Sequence, residues 1–345
     1  MTNSDILAKI NKEIGDPHAL VMGDSPTLIP EFLPTGIRPF DRILGGGLRK
    51  GSLVAVTGEF SSGKSLLTQM FIKAAQDDGL DCAYLDTEHA YNQDWMQASG
   101  VDISKLLVSQ VVRGEKAFNI IHALVRAGIG LIIVDSMTAL ITESRAESEM
   151  EQKFVGQKAL LINTGIEKLL DVLQENQSKA VVVAISQLRS NVGGHNPMET
   201  EIMAGGRGLG HYAHLVLKVR RAGWETKKST NKAQKYPVKT GYTMEIETRK
   251  SKQSAPFQKV RIPVSFATQM DAVAAIVYEA LDLGLIAARG SYFDVGAKDM
   301  IQGRSKLLAY AREHPEWVEK IAIAVETAEE NSGGIRIDDA SDDTE

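Results

Sequence analysis

Short apolar runs alternate with helix-length amphipathic segments between about Gly36 and Phe266, and this alternation predicts an α/β domain. The early runs are separated by segments long enough for a helical crossover, which favours parallel strands. The later runs follow one another closely, which favours antiparallel strands added at one edge of the sheet. The predicted strands are 53–57, 82–86, 106–109, 131–135, 180–185, 214–220, 242–249 and 258–263.

The N-terminal end of the chain departs from this pattern. Residues 4–14 predict a short amphipathic helix that stops at Gly15, and the proline-containing residues 16–33 predict a linker. An isolated helix of this length is marginal in water, because its tertiary contacts supply most of its stability. We therefore expect it to pack on its own core or on a neighbouring subunit.

Beyond Ala267 the pattern becomes mostly helical, with segments at 271–285, 304–312 and 316–328. These segments predict a small α-rich C-terminal domain, and the polar end of the chain predicts disorder. The chain is accordingly divided into an N-terminal helix and linker, a core, a C-terminal domain and an acidic tail, with boundaries at 1–33, 34–268, 269–330 and 331–345.

A glycine-containing octapeptide follows the first predicted strand and precedes a helical pattern that starts at Leu66. It fits the pattern G-x-x-x-x-G-K-[ST], in which two glycines let backbone N–H groups and a helix N-terminus point at a triphosphate. A glycine turn before an ordinary helix is the alternative, but the strand–loop–helix context predicts a nucleoside triphosphate site. Lys64 would reach the β- and γ-phosphates, and the Ser65 hydroxyl would bind Mg²⁺. The candidate nucleotide-binding residues are Gly58, Glu59, Phe60, Ser61, Ser62, Gly63, Lys64 and Ser65.

Two further predicted strands end in carboxylates. Asp135 closes the run Leu131–Val134 and is predicted to hold the Mg²⁺ hydration shell beside the phosphate loop. Glu88 follows the strand 82–86, and parallel strands direct their carboxyl ends at the ligand crevice. Glu88 is thus a candidate to orient the water that attacks the γ-phosphate, or alternatively a cap of the next helix.

Gln187 ends a further apolar strand and opens into a glycine-rich segment. A glutamine at this edge can sense the γ-phosphate and pass that information to the segment behind it. Three histidines nearby allow a metal site by spacing, but polar contacts or core packing explain them better without cysteines or an acidic pattern. These histidines are His195, His211 and His214.

Composition limits the class of protein. The single Cys82 lies in a strand-like run, is expected in the core, and excludes an internal disulfide framework or a zinc site built on several cysteines. No run approaches the length of a membrane span, and the N-terminus carries no basic-then-apolar targeting pattern. We expect a cytoplasmic protein in a reducing compartment, with no membrane partner.

Charge is unevenly distributed along the chain. The net charge is −5, and residues 338–345 alone carry five acids and no base. In contrast, residues 218–261 hold thirteen Lys or Arg against three Glu. This arrangement favours a polyanion partner for which the acidic tail competes, although a solvated surface and a solubilising tail would give the same charges.

The ordered set of runs resembles the RecA family of bacterial and phage homologous-recombination ATPases. The likeness covers the phosphate-binding core in order and extends to a short helix before it and a small lobe and acidic tail after it. The runs that carry the likeness are Gly58–Ser65, Asp86–Ala90, Ile133–Ser136, Ser186–Arg189, Ala204–Gly206 and Lys250–Phe257. The resemblance implies a RecA-like P-loop core with a mostly parallel central sheet.

The resemblance also implies roles for individual positions. Glu88 matches the catalytic glutamate, Gln187 the γ-phosphate sensor, and Trp95 an aromatic residue that stacks on adenine. Lys250 and Lys252 match a lysine pair that reaches across a filament interface to the ATP of a neighbour, in the manner of an arginine finger. The resemblance therefore implies that ATP and Mg²⁺ are bound at a boundary between two copies of the chain.

Segments 142–157 and 189–208 match the two loops that hold DNA along the filament axis. Apolar residues there would wedge between bases, while backbone amides and arginines would hold phosphates in a mostly sequence-blind mode. The implied DNA-binding residues are Val155, Gly156, Arg189, Asn191, Val192, Gly193, Gly194 and Arg207. The chain departs from the family where the second loop lacks a Met-Phe pair, which His195, Ile202 or Met203 would replace.

The resemblance implies a DNA recombinase, in which ATP drives filament formation on single-stranded DNA, homologous pairing with duplex DNA and strand exchange. DNA would stimulate hydrolysis of ATP to ADP and phosphate, and a loader or single-strand-binding protein would assist. Two alternatives stay open. One is a ring-forming motor of the same superfamily, such as a helicase or branch-migration enzyme, and the other is a non-catalytic ATP-switched DNA-binding scaffold.

Overall fold

The computed structural model describes residues 2–147, 156–175, 177–190, 201–203, 208–227, 236–266, 269–296 and 300–331. By its internal contacts the chain separates into two compact units, Met1–Phe32 and Leu33–Glu345. Among the helices within the described ranges, none is both long and apolar enough to cross a membrane.

The first unit begins with the predicted amphipathic helix, α1 (Asn3–Ile14). Thr2 and Asp5 form a reciprocal capping box at its start, and Gly15 ends it in the left-handed conformation. The side chain of Asn11 then fixes the chain that follows. Its amide donates to the carbonyls of Pro17 and Leu20 at 2.8 Å each, and its oxygen accepts from the Leu20 N–H at 2.9 Å. The sequence prediction of a helix that stops at Gly15 is confirmed.

The second unit is built on a large mixed sheet, which confirms the predicted α/β class. The strands along the chain are β1 (Phe32–Leu33), β2 (Leu48–Arg49), β3 (Ser52–Gly58), β4 (Cys82–Asp86), β5 (Leu106–Ser109), β6 (Leu131–Asp135), β7 (Val181–Ser190), β8 (Glu201–Met203), β9 (Leu215–Lys227), β10 (Val238–Ser251), β11 (Lys259–Ser265), β12 (Gln269–Met270), β13 (Ala288–Arg289), β14 (Tyr292–Phe293) and β15 (Ile301–Gln302). The main sheet has the order β12-β11-β10-β9-β3-β7-β6-β4-β5. Strands β9, β3, β7, β6, β4 and β5 are parallel, and β10 to β12 add antiparallel at one edge.

Helices cover both faces of this sheet. They are α2 (Arg38–Ile43), α3 (Lys64–Asp77), α4 (Gln93–Ala98), α5 (Gly114–Arg126), α6 (Glu143–Glu147), α7 (Gln157–Glu175), α8 (Gly208–Tyr212), α9 (Ala272–Asp282), α10 (Arg304–Glu313) and α11 (Pro315–Asn331). Alternate residues of β3 enter opposite cores. Val54 packs in the cluster that contains Phe71 of α3, and Leu53 packs in the cluster that contains Phe118 of α5. Because both faces are buried, the strands read as continuous apolar runs.

Three strands, β7, β9 and β10, are longer than predicted, and the extension of β7 bears on the site. The apolar run ends at Ile185, but β7 continues to Ser190 and pairs antiparallel with β8, whose three residues lie within a segment predicted as a loop. Leu188 faces Met203 in this extension. The extension leaves the parallel sheet, so it has no apolar alternation to reveal it, and its backbone pairs with β8 instead.

Helices α9, α10 and α11 surround a third apolar cluster that includes Val277, Leu307 and Val325. The helical segments predicted beyond Ala267 are thus confirmed, and β13 to β15 form a small separate sheet beside them. Ion pairs connect this lobe to the core, including Arg42 with Glu279. The buried position of Cys82 in β4 also agrees with the sequence prediction. The acidic tail from 332 to 345 lies outside the described residues.

Candidate functional site

The phosphate loop leaves the C-terminal end of β3 and enters α3 directly. Gly58 lies so close to β9 that a Cβ atom there would be 2.3 Å from the Val219 carbonyl oxygen. Gly63 has φ of 100°, a left-handed conformation that disfavours other residues, and caps the N-terminus of α3. The local fold therefore requires both glycines of the sequence pattern, and the N-terminus of α3 points its free N–H groups into the loop.

Lys64 bends back over this loop. Its ammonium donates to the carbonyl of Gly58 at 3.1 Å and to that of Glu59 at 2.6 Å. Burial lowers the pKa of the Lys64 ammonium, and the nearby carboxylates of Asp135 and Glu88 oppose this shift. A cation held among carbonyls at a helix N-terminus can transfer to an anionic ligand with little rearrangement. Glu59 and Phe60, on the outer side of the loop, are exposed, and Phe60 is 77% accessible.

Ser65 and Asp135 meet at the start of α3. The Ser65 hydroxyl donates to Asp135 Oδ2 at 2.7 Å, and the Tyr84 hydroxyl donates to the same oxygen at 2.8 Å. Burial raises the pKa of the Asp135 carboxyl, while the bonds from Ser65 and Tyr84 act to lower it. The peptide between Asp135 and Ser136 is cis. A hydroxyl and a carboxylate side by side are oxygen ligands of the kind Mg²⁺ uses, so these two residues fit that ion.

Glu88 lies in the same crevice, not at a helix terminus. Its Oε1 accepts from the Ser136 hydroxyl at 2.5 Å and from the Gln187 amide at 3.4 Å. The helix that follows is capped by Asn92 instead, so the helix-cap interpretation of Glu88 is wrong. The structure thus brings the residues that follow β4 and β6 together with Gln187 of β7 at one carboxylate.

Two residues that sequence reasoning missed fix this geometry. Thr87 both accepts from the Ser136 N–H and donates to its carbonyl, each at 2.7 Å. The carboxylate of Asp86 is buried and accepts from the N–H groups of Ala90 and Tyr91 at 2.9 and 3.0 Å. The sequence held a partial indication of both roles. Asp86 and Thr87 lie between an apolar strand and Glu88, where the chain leaves the sheet and backbone N–H groups need acceptors.

A cavity of about 280 Å³ opens beside the phosphate loop. Trp95 forms part of its wall and is 45% accessible, so the structure brings this residue together with the loop. The cavity also contains aromatic residues that no sequence pattern indicated, Tyr242 from β10 and Phe266, which follows β11 directly. The lining residues are Ser61, Ser62, Gly63, Lys64, Ser65, Leu66, Trp95, Tyr242, Val264, Phe266 and Gln269.

Lys250 and Lys252 lie away from this cavity. In the sheet register Lys250 is opposite Val216, which pairs with Ala55, three residues before Gly58. Strand geometry places it roughly 10 Å back from the phosphate-loop edge. Its ammonium donates to the carbonyls of Gly210 and His211 in α8 at 3.0 and 2.6 Å, and burial lowers the pKa of the Lys250 ammonium. The two lysines therefore do not meet the phosphate loop of their own chain.

Most of the predicted DNA-binding residues fall outside the described part of the chain. These are Val155, Asn191, Val192, Gly193, Gly194 and Arg207, together with His195 of the second loop. Gly156 is described and directly precedes α7. Only the backbone of Arg189 is described, and it pairs with Ile202 in β8. Across the described ranges, no three His, Cys, Asp or Glu side chains are grouped in a way that could hold a metal ion.

Burying the Asp135 charge is expected to cost stability. Because burial raises the pKa of Asp135, the folded state disfavours the carboxylate. This cost is present near neutral pH, starts to fall as pH drops through the raised pKa, and is gone below the ordinary pKa of an aspartate. We expect Asp135→Asn, without nucleotide, to raise the thermal midpoint at pH 7 by about 2 °C or more. The two proteins should converge in acid, measured by thermal melts across pH.

Asp24→Asn is the matched control, because Asp24 is exposed. A variant less stable than the parent protein at every pH would show that the hydrogen bonds from Ser65 and Tyr84 outweigh the cost of the buried charge.

Comparison with known proteins gives a consistent result over most of the chain. The family model for the RecA N-terminal domain matches residues 2–271. Protein RecA of Thermus aquaticus is 34% identical over 323 residues, which is 92% of each chain. Protein RecA of Thermus thermophilus is 35% identical over 92% of each chain. Protein RecA of Deinococcus radiodurans is 32% identical over 93% of this chain and 86% of the relative.

Proposed function

The chain belongs to the RecA family of homologous-recombination ATPases, and from that premise we propose that it polymerises on single-stranded DNA with ATP and Mg²⁺ and exchanges strands with homologous duplex DNA. The observation that carries this proposal is the convergence of Lys64, the Ser65–Asp135 pair and Glu88 at one end of the sheet. These are the groups that triphosphate binding and hydrolysis require.

The phosphate loop and α3 would hold the triphosphate, with Lys64 leaving its loop carbonyls for the β- and γ-phosphates. Ser65 and Asp135 would hold Mg²⁺, Asp135 through water. When bound, this ion neutralises charge that develops on the phosphate oxygens. Trp95 would contact the base, because it is an exposed aromatic residue in the cavity wall.

Glu88 would orient the attacking water and take its proton as the bond to the γ-phosphorus forms and ADP leaves. The Ser136 hydroxyl and the Gln187 amide both donate to Oε1 of this carboxylate. Gln187 lies in β7, and that strand continues without interruption to Ser190, inside the second predicted DNA loop of residues 189–208. A γ-phosphate that changes the Gln187 contact would therefore act directly on the backbone that leads into that loop.

Lys250 and Lys252 would contact the triphosphate of a neighbouring copy. The sheet register keeps these lysines away from the phosphate loop of their own chain. They can therefore take part in the reaction only by contacting the nucleotide of another copy. Lys250 also connects to α8, the helix that follows the second predicted loop, through two carbonyls. Nucleotide at the shared boundary would thus act on the second predicted loop of both copies. It would act through Gln187, before the loop, in one copy and through Lys250 and α8, after the loop, in the next.

The DNA-binding assignment of both loops and of Arg189, Gly156 and their neighbours is proposed on the resemblance. ATP turnover, measured with and without single-stranded DNA across a salt series, tests it together with the rest of the function. We expect stimulation by DNA that weakens as salt rises, because phosphate contacts release counterions. Turnover that DNA leaves unchanged at every salt concentration would overturn the proposal.

A further inference from the structure

The hydroxyl of Tyr242 is an unexplained polar group at the nucleotide cavity. The residue lies in β10 and is only 8% accessible, yet its hydroxyl makes no hydrogen bond to any residue that the structure describes. The oxygen lies 2.5 Å from the point that a Cβ on Gly63 would occupy, which places it directly against the phosphate loop. A hydroxyl that lines the cavity and has no protein partner in the described ranges can donate to a ligand, so a ligand that places an acceptor here gains affinity.

The ring of Tyr242 is held in this position by its aromatic neighbours. Trp224, its cross-strand partner in β9, meets it edge-on at 6.3 Å between centroids, and Phe266 lies 6.2 Å away on another side. Trp224 is itself fixed by two cations. The Arg221 guanidinium lies 4.2 Å and the Lys239 ammonium 3.8 Å from the centroid of its ring.

Arg221 ties this aromatic group to the phosphate loop. Its Nη1 approaches the Ser61 carbonyl oxygen at 3.4 Å, and Ser61 has a positive φ of 55°. Burial raises the pKa of the Tyr242 hydroxyl, with Arg221 opposing the shift, so the hydroxyl keeps its proton at neutral pH. The strand pair β9–β10 therefore presents a rigid hydrogen-bond donor to the cavity.

We propose that Tyr242 donates this hydrogen bond to an oxygen of the ribose–α-phosphate part of the bound nucleotide. The inference rests on the proposed function, since it concerns the same cavity. The loop takes the terminal phosphates and Trp95 the base, and Tyr242 lines the space that the middle of the nucleotide must cross. Trp224 and Arg221 are positioning residues, because they act on the nucleotide through Tyr242 and the loop.

Tyr242→Phe tests this, because it removes only the hydroxyl and keeps the ring. Calorimetric titration with Mg²⁺ and a non-hydrolysable ATP analogue should show about a fivefold weaker affinity, the effect of one lost hydrogen bond. Tyr236→Phe, just before β10, is the control, because Tyr236 is 80% accessible, and its affinity should match the parent protein. In turnover, Tyr242→Phe should raise KM for ATP and keep kcat, whereas a misfolded fraction would lower kcat at constant KM.

The same titration with 2′-deoxy and 3′-deoxy analogues locates the acceptor. A loss confined to nucleotides that carry one particular ribose hydroxyl assigns that hydroxyl. An equal loss for all three nucleotides, the ATP analogue and its two deoxy forms, excludes both hydroxyls and leaves the α-phosphate or the O4′ and O5′ oxygens as the acceptor. If the parent protein binds the three nucleotides and Tyr242→Phe binds each of them equally well, the inference is overturned and the proposed function stays intact. A parent protein that binds none of the analogues would overturn the proposed function itself.

Discussion

Replacing Glu88 by Gln is expected to lower steady-state ATP hydrolysis by about 10²- to 10⁴-fold while nucleotide-dependent assembly on DNA persists. Gln has the shape of Glu and can still accept from the Ser136 hydroxyl, which the carboxylate contacts at 2.5 Å. It cannot take the proton of the attacking water. Phosphate release measures the first effect, and the lifetime of assemblies after dilution measures the second.

Glu175→Gln serves as the control for this experiment, because Glu175 is exposed at the end of α7 and should retain full turnover. Assemblies of Glu88→Gln should outlive those of the parent protein, since hydrolysis is the step that would release them. Assemblies that dissociate as fast as the parent ones would show that Glu88 is not the catalytic carboxylate.

The second large effect is expected for Lys250→Ala combined with Lys252→Ala. Charge supplied from a neighbour to a transferring phosphoryl group is worth about 10³- to 10⁵-fold in the best-known cases, so DNA-stimulated turnover should fall by at least about 10²-fold. Nucleotide affinity of the isolated chain should hold, because the register keeps both lysines away from their own loop. Lys320→Ala, on the exposed side of α11, is the control.

Mixing the two inactive proteins separates action in trans from action in cis. A complete site forms at a boundary where the lysine-deficient chain supplies Glu88 and the Glu88→Gln chain supplies Lys250 and Lys252. With head-to-tail contacts and equal amounts, about a quarter of the boundaries are complete, so turnover should recover to that order. Mixtures as inactive as their components would place the lysines and Glu88 in the same chain's site and refute the shared boundary.

The sequence revealed those parts of the site that local chemistry dictates. Gly58 and Gly63 can be recognised in the sequence because the loop needs a close backbone approach and a positive φ that other residues do not allow. Asp135 can be recognised because it ends a buried strand. The likeness to a known family added Trp95 and the lysine pair. The structure places Trp95 at the cavity and the lysines away from it, farther along the sheet.

Other parts depend on contacts between segments far apart in the chain. Tyr84 reaches Asp135 because β4 and β6 pair in register, and the pattern of either strand alone does not fix that register. Tyr242 lies in a strand two positions away from β3 and reaches the phosphate loop across β9. In the sequence it is an aromatic residue at the start of a predicted strand, and no motif there indicates a contact with the phosphate loop. The residues assigned to the DNA loops stay predictions.

Nucleotide bound between two copies of this chain is expected to drive assembly on DNA. Sedimentation of the purified protein with ATP, Mg²⁺ and a long single-stranded oligonucleotide tests it most directly, with Lys64→Ala beside it. We expect large assemblies that need all three components and are absent for Lys64→Ala, which lacks the ammonium held over the phosphate loop. A parent protein that stays monomeric under these conditions would contradict it.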